Sequence, residues 1–126
     1  MNTKVVATEK APKAVGPYSQ GVSAGDFIFV SGQLPIDPAT GSFPGDDIKL
    51  LAKQSLENVK AVLEASGSSM DKVVKTTVYL KSLSDFAAVN EVYASYFSST
   101  FPARSCFEVA ALPKGAKLEI EAIAVK

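Results

Sequence analysis

Arg104 lies between Ala103 and Ser105, near the start of a segment that alternates in character. Its guanidinium is a planar fork of donors matched to a carboxylate or a phosphate. An ion pair with a nearby glutamate on a surface strand is the equal alternative. Glu119 and Glu121 stand two residues apart, on one face of an extended segment. Ile123 and Val125 continue that face, so it is charged at one end and apolar at the other. A carboxylate beside an apolar wall has its pKa raised towards the range useful for acid–base work. Two ordinary glutamates at a solvated strand end are the plainer reading. Cys106 shares the face of Arg104, and a nearby cation favours its thiolate. A lone cysteine is more often a small buried apolar residue. Tyr18 sits in a loop framed by Gly16-Pro17 and Gly21, as a ring that either closes a pocket or plugs the end of the core. Ser31-Gly32 ends the most apolar segment, where loops build sites or simply turn. Asn90 falls beside the apolar stripe of a helical segment, as a pocket donor or a satisfied boundary residue.

The rest of the composition narrows the chemistry. The chain has no His, which removes Ser-His and Cys-His nucleophile pairs, paired-His RNA cleavage and most zinc sites. One cysteine permits no internal disulfide, and a reducing compartment is the simpler setting: the cytoplasm, or an organelle such as the mitochondrion. No bound metal is expected. No glycine-rich phosphate loop is present either. Thirteen basic residues balance thirteen acidic ones, and no basic run stands out, so a nucleic-acid partner is not expected. The first thirteen residues are mostly polar and carry no secretory h-region. The longest apolar runs, such as Phe27-Ile28-Phe29-Val30, are far short of the ~20 residues that span a membrane.

These residues need elements to hold them. Ile48, Ala52, Leu56, Val59 and Leu63 step by three and four, flanked by Leu51, Ser55 and Val62, and predict a helix over Ile48–Ala65. Asp46 and Asp47 suit its start, and Gly67 its stop. A second helix is predicted over 84–98, with Phe86, Val89, Tyr93, Tyr96 and Phe97 on one side and Ser82 with Asp85 as a capping box. Strands are predicted over 26–32, 73–81, 103–109 and 118–125, with weaker edge candidates at 5–7 and 20–23. Val74, Thr76, Val78 and Leu80 are expected to share one face. The order β-β-β-α-β-α-β-β makes a single α+β domain over residues 1–126, with two helices on one face of a sheet. Phe27 to Val30 and Ile123 to Val125 are apolar on both faces, which two helices cannot cover. A second copy of the sheet is the economical cover, so a homo-oligomer is expected.

Four segments together carry a resemblance that none carries alone. Gly16-Pro17-Tyr18-Ser19-Gln20-Gly21, Val30-Ser31-Gly32-Gln33-Leu34-Pro35, Phe101-Pro102-Ala103-Arg104-Ser105-Cys106 and Leu118-Glu119-Ile120-Glu121-Ala122 resemble the signatures of the YjgF/RidA family. Its members are reactive-intermediate imine deaminases, some labelled endoribonuclease L-PSP. The likeness covers nearly the whole chain, in order. It implies a chorismate-mutase-like fold, with a mostly antiparallel six-stranded sheet, assembled as a homotrimer with sites between subunits. It also implies hydrolysis of 2-iminopropanoate and 2-iminobutanoate to 2-oxo acids and ammonia, without a cofactor. In that reading Arg104 holds the substrate carboxylate and Glu119 orients or deprotonates water. Backbone around Cys106 faces the reacting atoms. Tyr18 closes the site, and Ser31, Gly32 and Asn90 line it. The stretch Phe97-Ser98-Ser99-Thr100-Phe101 is a little shorter than in many relatives, which bears on loop contacts before Arg104. Two other functions remain in view: RNA cleavage or translation inhibition, and a non-enzymatic metabolite-binding or chaperone-like trimer.

Overall fold

The computed structural model describes residues 3–126; Met1 and Asn2, the start of the polar N-terminal stretch, lie outside them. Alternating and apolar runs become six strands: β1 (Thr3–Val6), β2 (Gly21–Ala24), β3 (Phe27–Gln33), β4 (Val73–Leu80), β5 (Ala103–Glu108) and β6 (Leu118–Val125). They form one sheet in the order β1-β2-β3-β6-β4-β5. Every pairing is antiparallel except β4 with β5. That exception follows from connectivity, because a helix separates β4 from β5 and a crossover of this kind returns the chain in the same direction. The element order is the expected one, and the fold is α+β with a mixed, mostly antiparallel sheet.

β6 shows the logic of the sheet most clearly. Leu118, Ile120, Ala122 and Ala124 point to one side and are buried there. Glu119, Glu121, Ile123 and Val125 point to the other. On β4, Thr76, Val78 and Leu80 join the buried side as the alternation predicts, but Val74 does not. Val73 pairs with Ala124 and Lys75 with the adjacent Ile123, so Val74 is the extra residue of a β-bulge. The bulge turns Val73 inward and leaves Val74 exposed. The last strand residue of β5 is Glu108, although the Val109 amide still donates to the Leu80 carbonyl at 2.9 Å.

Two helices cover the buried side. α1 (Ile48–Ala65) begins where Asp47 caps it, its carboxylate accepting from the Leu50 amide at 3.3 Å. It ends in a Schellman turn: the Ser68 amide reaches the Leu63 carbonyl at 2.9 Å and the Gly67 amide the Glu64 carbonyl at 3.1 Å. Gly67 takes φ +86°, which is why a glycine stands there. Leu56, Val59, Val62 and Leu63 are fully buried, each worth about 1.5–3 kcal/mol relative to exposure. α2 (Phe86–Ala94) is shorter than its periodicity predicts at both ends. Residues Leu83–Asp85 form a 3₁₀ turn in which the Ser82 hydroxyl accepts from the Ser84 amide at 3.2 Å, and Asp85 makes no capping bond. The expected capping box is therefore replaced by a local turn. At the other end the Ser95 hydroxyl donates to the Val92 carbonyl, and residues 95–97 tighten into bonds three residues back.

Among the described residues no helix covers the opposite side of the sheet. Val5, Phe29 and Phe107 stand 70%, 44% and 53% exposed on it. Neighbouring register places Val5, Val22, Phe29 and Ile123 in one apolar row across four strands.

Candidate functional site

Arg104 is fixed by its register. It pairs with Thr76, whose side chain is buried on the helix side, so Arg104 also points towards the helices. There its Nη1 donates to the Asn90 Oδ1 of α2 at 2.7 Å. The guanidinium carbon lies 4.9 Å from the centre of the Tyr93 ring and 5.4 Å from that of Phe86. Cation–π contacts of this kind contribute about 0.5–2 kcal/mol and hold the plane of the fork. Tyr93 is itself tied down, its hydroxyl 2.6 Å from that of Thr76. Among the described residues no carboxylate pairs with Arg104. The surface ion pair considered from sequence is thus not what forms. Asn90, Tyr93, Phe101, Pro102 and Arg104 line a cavity of about 420 Å³.

Cys106 lies two residues on, opposite Val78, and packs against the core. Burial pushes its thiol pKa up, and Arg104 offsets this only in part. The thiol is therefore protonated near neutrality, which argues against a nucleophilic thiolate.

Glu119 is on the other side of the sheet. Its register partner is Tyr79 of β4, and its carboxyl fills the space beside Gly32. A Cβ at position 32 would stand 2.7 Å from the Glu119 carboxyl carbon, so the glycine is needed for close approach. Ser31 is held by two bonds to the neighbouring loop: its hydroxyl donates to the Ser19 carbonyl at 2.5 Å and its amide to the Gln20 carbonyl at 2.9 Å. Tyr18, half exposed, belongs to that same loop. Tyr18, Ser31, Gly32, Glu119 and Glu121 all line a cavity of about 750 Å³. Burial raises the Glu119 pKa, and the charge of Glu121 adds to the rise.

Two residues that build this half were not singled out from the sequence. Gln20 is only 5% exposed. Its side chain accepts from the Thr8 amide at 2.7 Å and donates to the carbonyls of Thr8, Ala11 and Pro12. It thereby locks residues 8–12 against the Tyr18 loop. Asn58 of α1 donates to the carbonyls of Leu34 and Ile36 at 3.0 and 2.9 Å, pinning the chain just beyond Ser31-Gly32. The signal for Asn58 was present: it continues the row Leu51, Ser55, Asn58, Val62 on a buried helix face. A polar residue in such a row must find partners. Nothing in the sequence marks Gln20 apart from its place in the Gly/Pro-framed loop.

The candidate residues thus fall into two groups. Arg104, Asn90 and Cys106 gather on the helix side, and Tyr18, Ser31, Gly32 and Glu119 on the open side. A single chain does not bring Arg104 and Glu119 together. Among the described residues no group of three His, Cys, Asp or Glu side chains is placed to hold a metal ion. No described helix is long and apolar enough to cross a membrane.

Comparison with known proteins gives this arrangement its relatives. A RutC family protein from Pyrococcus horikoshii is 56% identical, over 98% of both chains. A protein of Salmonella typhimurium named 2-iminobutanoate/2-iminopropanoate deaminase is 55% identical, again over 98% of both. The crystal structure of Escherichia coli TdcF with bound serine superimposes with a TM-score of 0.94, at 50% identity and 98% coverage of each chain. The family model described as Endoribonuclease L-PSP matches residues 8–126. Matched along almost all of its length, and with each of the four signature segments placed at the edge of one cavity or the other, the chain belongs to the endoribonuclease L-PSP family, also called YjgF/RidA.

Proposed function

We propose that this protein hydrolyses small 2-imino acids, 2-iminopropanoate and 2-iminobutanoate, to the corresponding 2-oxo acids and ammonia. The observation that carries the reading is Arg104. A partly desolvated cation is shelved on two aromatic rings and held by an amide oxygen, with no carboxylate partner among the described residues. Such a fork is free to take a carboxylate from outside, in charged hydrogen bonds worth about 1.5–3 kcal/mol. Serine bound to a relative of 50% identity supports a ligand of the amino-acid class. The deaminase name of a relative of 55% identity supports the reaction.

The site we propose is shared between copies of the chain, in a homotrimer. Two observations support sharing: Arg104 and Glu119 face opposite sides of one sheet, and that sheet has an uncovered apolar side. The Arg104 half of one subunit closes over the Glu119 half of its neighbour. β5 is an edge strand, so backbone groups beside Cys106 that its ladder with β4 leaves free can meet the reacting centre.

In the reaction Arg104 holds the carboxylate. The Glu119 carboxylate takes a proton from water as the water oxygen bonds to the carbon of the protonated imine and the C=N electron pair moves onto nitrogen, giving a carbinolamine. That proton passes to nitrogen. As the carbon–nitrogen bond breaks and ammonia leaves, Glu119 takes the hydroxyl proton, the oxygen becomes the carbonyl of the 2-oxo acid, and Glu119 hands the proton to the departing ammonia. A raised Glu119 pKa makes it a better base for this step. Ser31 and Gly32 keep the carboxyl in place, and Tyr18 covers the mouth.

The test generates the imine in place with an amino-acid oxidase and follows its loss against semicarbazide trapping. Wild type is compared with Arg104→Ala. Faster loss with wild type alone is the expected result. No acceleration by well-folded wild type would overturn the reading and turn attention to ligand binding or RNA cleavage.

A further inference from the structure

Glu121 has no part in the reaction as described, yet it lines the same cavity as Glu119, one strand alternation further along β6. Their Cα atoms are about 7 Å apart at ordinary strand rise. Two carboxylates so close on one face repel each other and turn apart unless one is held in place. Here one is held. The Tyr79 hydroxyl, on β4, donates to the Glu121 Oε1 at 3.1 Å, across a diagonal of the ladder in which Tyr79 sits directly opposite Glu119. We propose that Glu121, clamped by Tyr79, is a positioning residue of the site: it keeps a fixed negative charge beside Glu119 and so makes Glu119 the stronger base. This inference rests on the proposed role of Glu119 in activating water.

Other titratable groups also reach the neighbourhood of this pair. On β4 the open side carries Lys75 as well as Tyr79, but Lys75 is turned to the Ser105 hydroxyl at 3.3 Å. β3 offers no titratable group to the cavity, only Ser31, Gly32 and Gln33. The 8–20 loop contributes Lys13 and Tyr18, and the turn before β6 contributes Lys114. Arg104 of the same chain is on the far side of the sheet, and in the proposed assembly it is the neighbouring copy's Arg104 that faces Glu119, across the substrate carboxylate. The shift of Glu119 has the expected pattern, burial first and Glu121 second. Tyr79 is kept as a protonated donor by burial and by the two glutamates, so it serves as a clamp throughout the working pH range.

The experiment titrates the Glu119 carboxyl by ¹³C NMR in wild type, Glu121→Gln and Tyr79→Phe, and measures the pH profile of kcat on the same proteins. Glu121→Gln removes the charge, and Tyr79→Phe only releases it. The Glu119 midpoint is expected to fall in both, further in Glu121→Gln. The acid limb of kcat should follow, with kcat lowered about three- to tenfold and KM held. A Glu119 midpoint that stays at the wild-type value in assembled Tyr79→Phe and Glu121→Gln would overturn the inference. The NMR titration does not depend on turnover. If wild type hydrolyses no imine while the midpoints still move, the functional proposal fails and the coupling of Glu121 to Glu119 stands.

Discussion

The helix side and the open side of the sheet hold charge in opposite ways. On the helix side, Arg104 is built in advance: one hydrogen bond and two rings, one of them the tied Tyr93, hold its orientation. On the open side, Glu119 is placed by backbone and loops, through Gly32 making room and through the buried amides of Gln20 and Asn58 anchoring the segments around it. The difference suits the two tasks proposed for these residues. A permanent cation that binds needs a fixed direction. A carboxylate that exchanges protons needs an environment that moves its pKa, and burial beside a second acid supplies one.

The division is most sharply tested by mixing. Arg104→Ala and Glu119→Gln are each expected to abolish or nearly abolish imine hydrolysis as pure proteins. Unfolded together and refolded as mixed assemblies, they should regain a fraction of wild-type activity, because some clefts then pair an intact Arg104 half with an intact Glu119 half. Absence of any recovery in mixed assemblies verified by mass would break the shared-site proposal.

Glu119→Gln alone should lower kcat by about 10²–10⁴-fold and change KM less. It also has a stability signature. The folded protein binds the Glu119 proton more tightly than the unfolded chain does. The stabilisation that goes with that proton is complete below the unfolded pKa and is lost as pH rises through the folded one. Glutamine does not undergo this loss. The variant should therefore melt higher than wild type at neutral pH, and the gap should close as pH falls below the carboxylate range. Calorimetry at several pH values reads it.

Gly32→Ala tests whether the open half is set by close approach. The three atoms nearest the added Cβ all belong to the flexible Glu119 side chain, from Cγ outward, so the carboxyl is expected to move and the fold to stay. Turnover should drop by about tenfold with little change in Tm. Cys106→Ser should have the smallest effect, since a protonated thiol packed against the core is not asked to attack. A complete loss of activity with the assembly preserved would revive a nucleophilic role.

The sequence made the helix side easy to read and the open side harder. α1 and the alternation of β6 are written in apolar spacing, because burial against water enforces the 3.6 and 2.0 periods. The bulge at Val74 escaped that logic, since an extra residue shifts the phase without any change in composition. The shortened α2 escaped it too. Tyr96 and Phe97 continue the stripe and pack on the core, but from a tightened turn and not from the helix. Residue types picked out Arg104 and Glu119 as candidates. Their placement on opposite faces follows from register across β4, which no local pattern encodes. Gln20 was hidden because its partners are backbone carbonyls of a loop with no periodicity of its own.

The position of β6 in the strand order has a consequence for how the chain is made. β3 and β4 do not pair with each other; each pairs with β6, which follows both of them in sequence. Until residues from Leu118 onward have left the ribosome, the nascent chain can form only a three-stranded meander and a separate β4–β5 pair, each with an unpaired apolar edge. Closure of the sheet is therefore one late event that joins distant parts of the chain, a topology that folds slowly and leaves those edges open to association meanwhile.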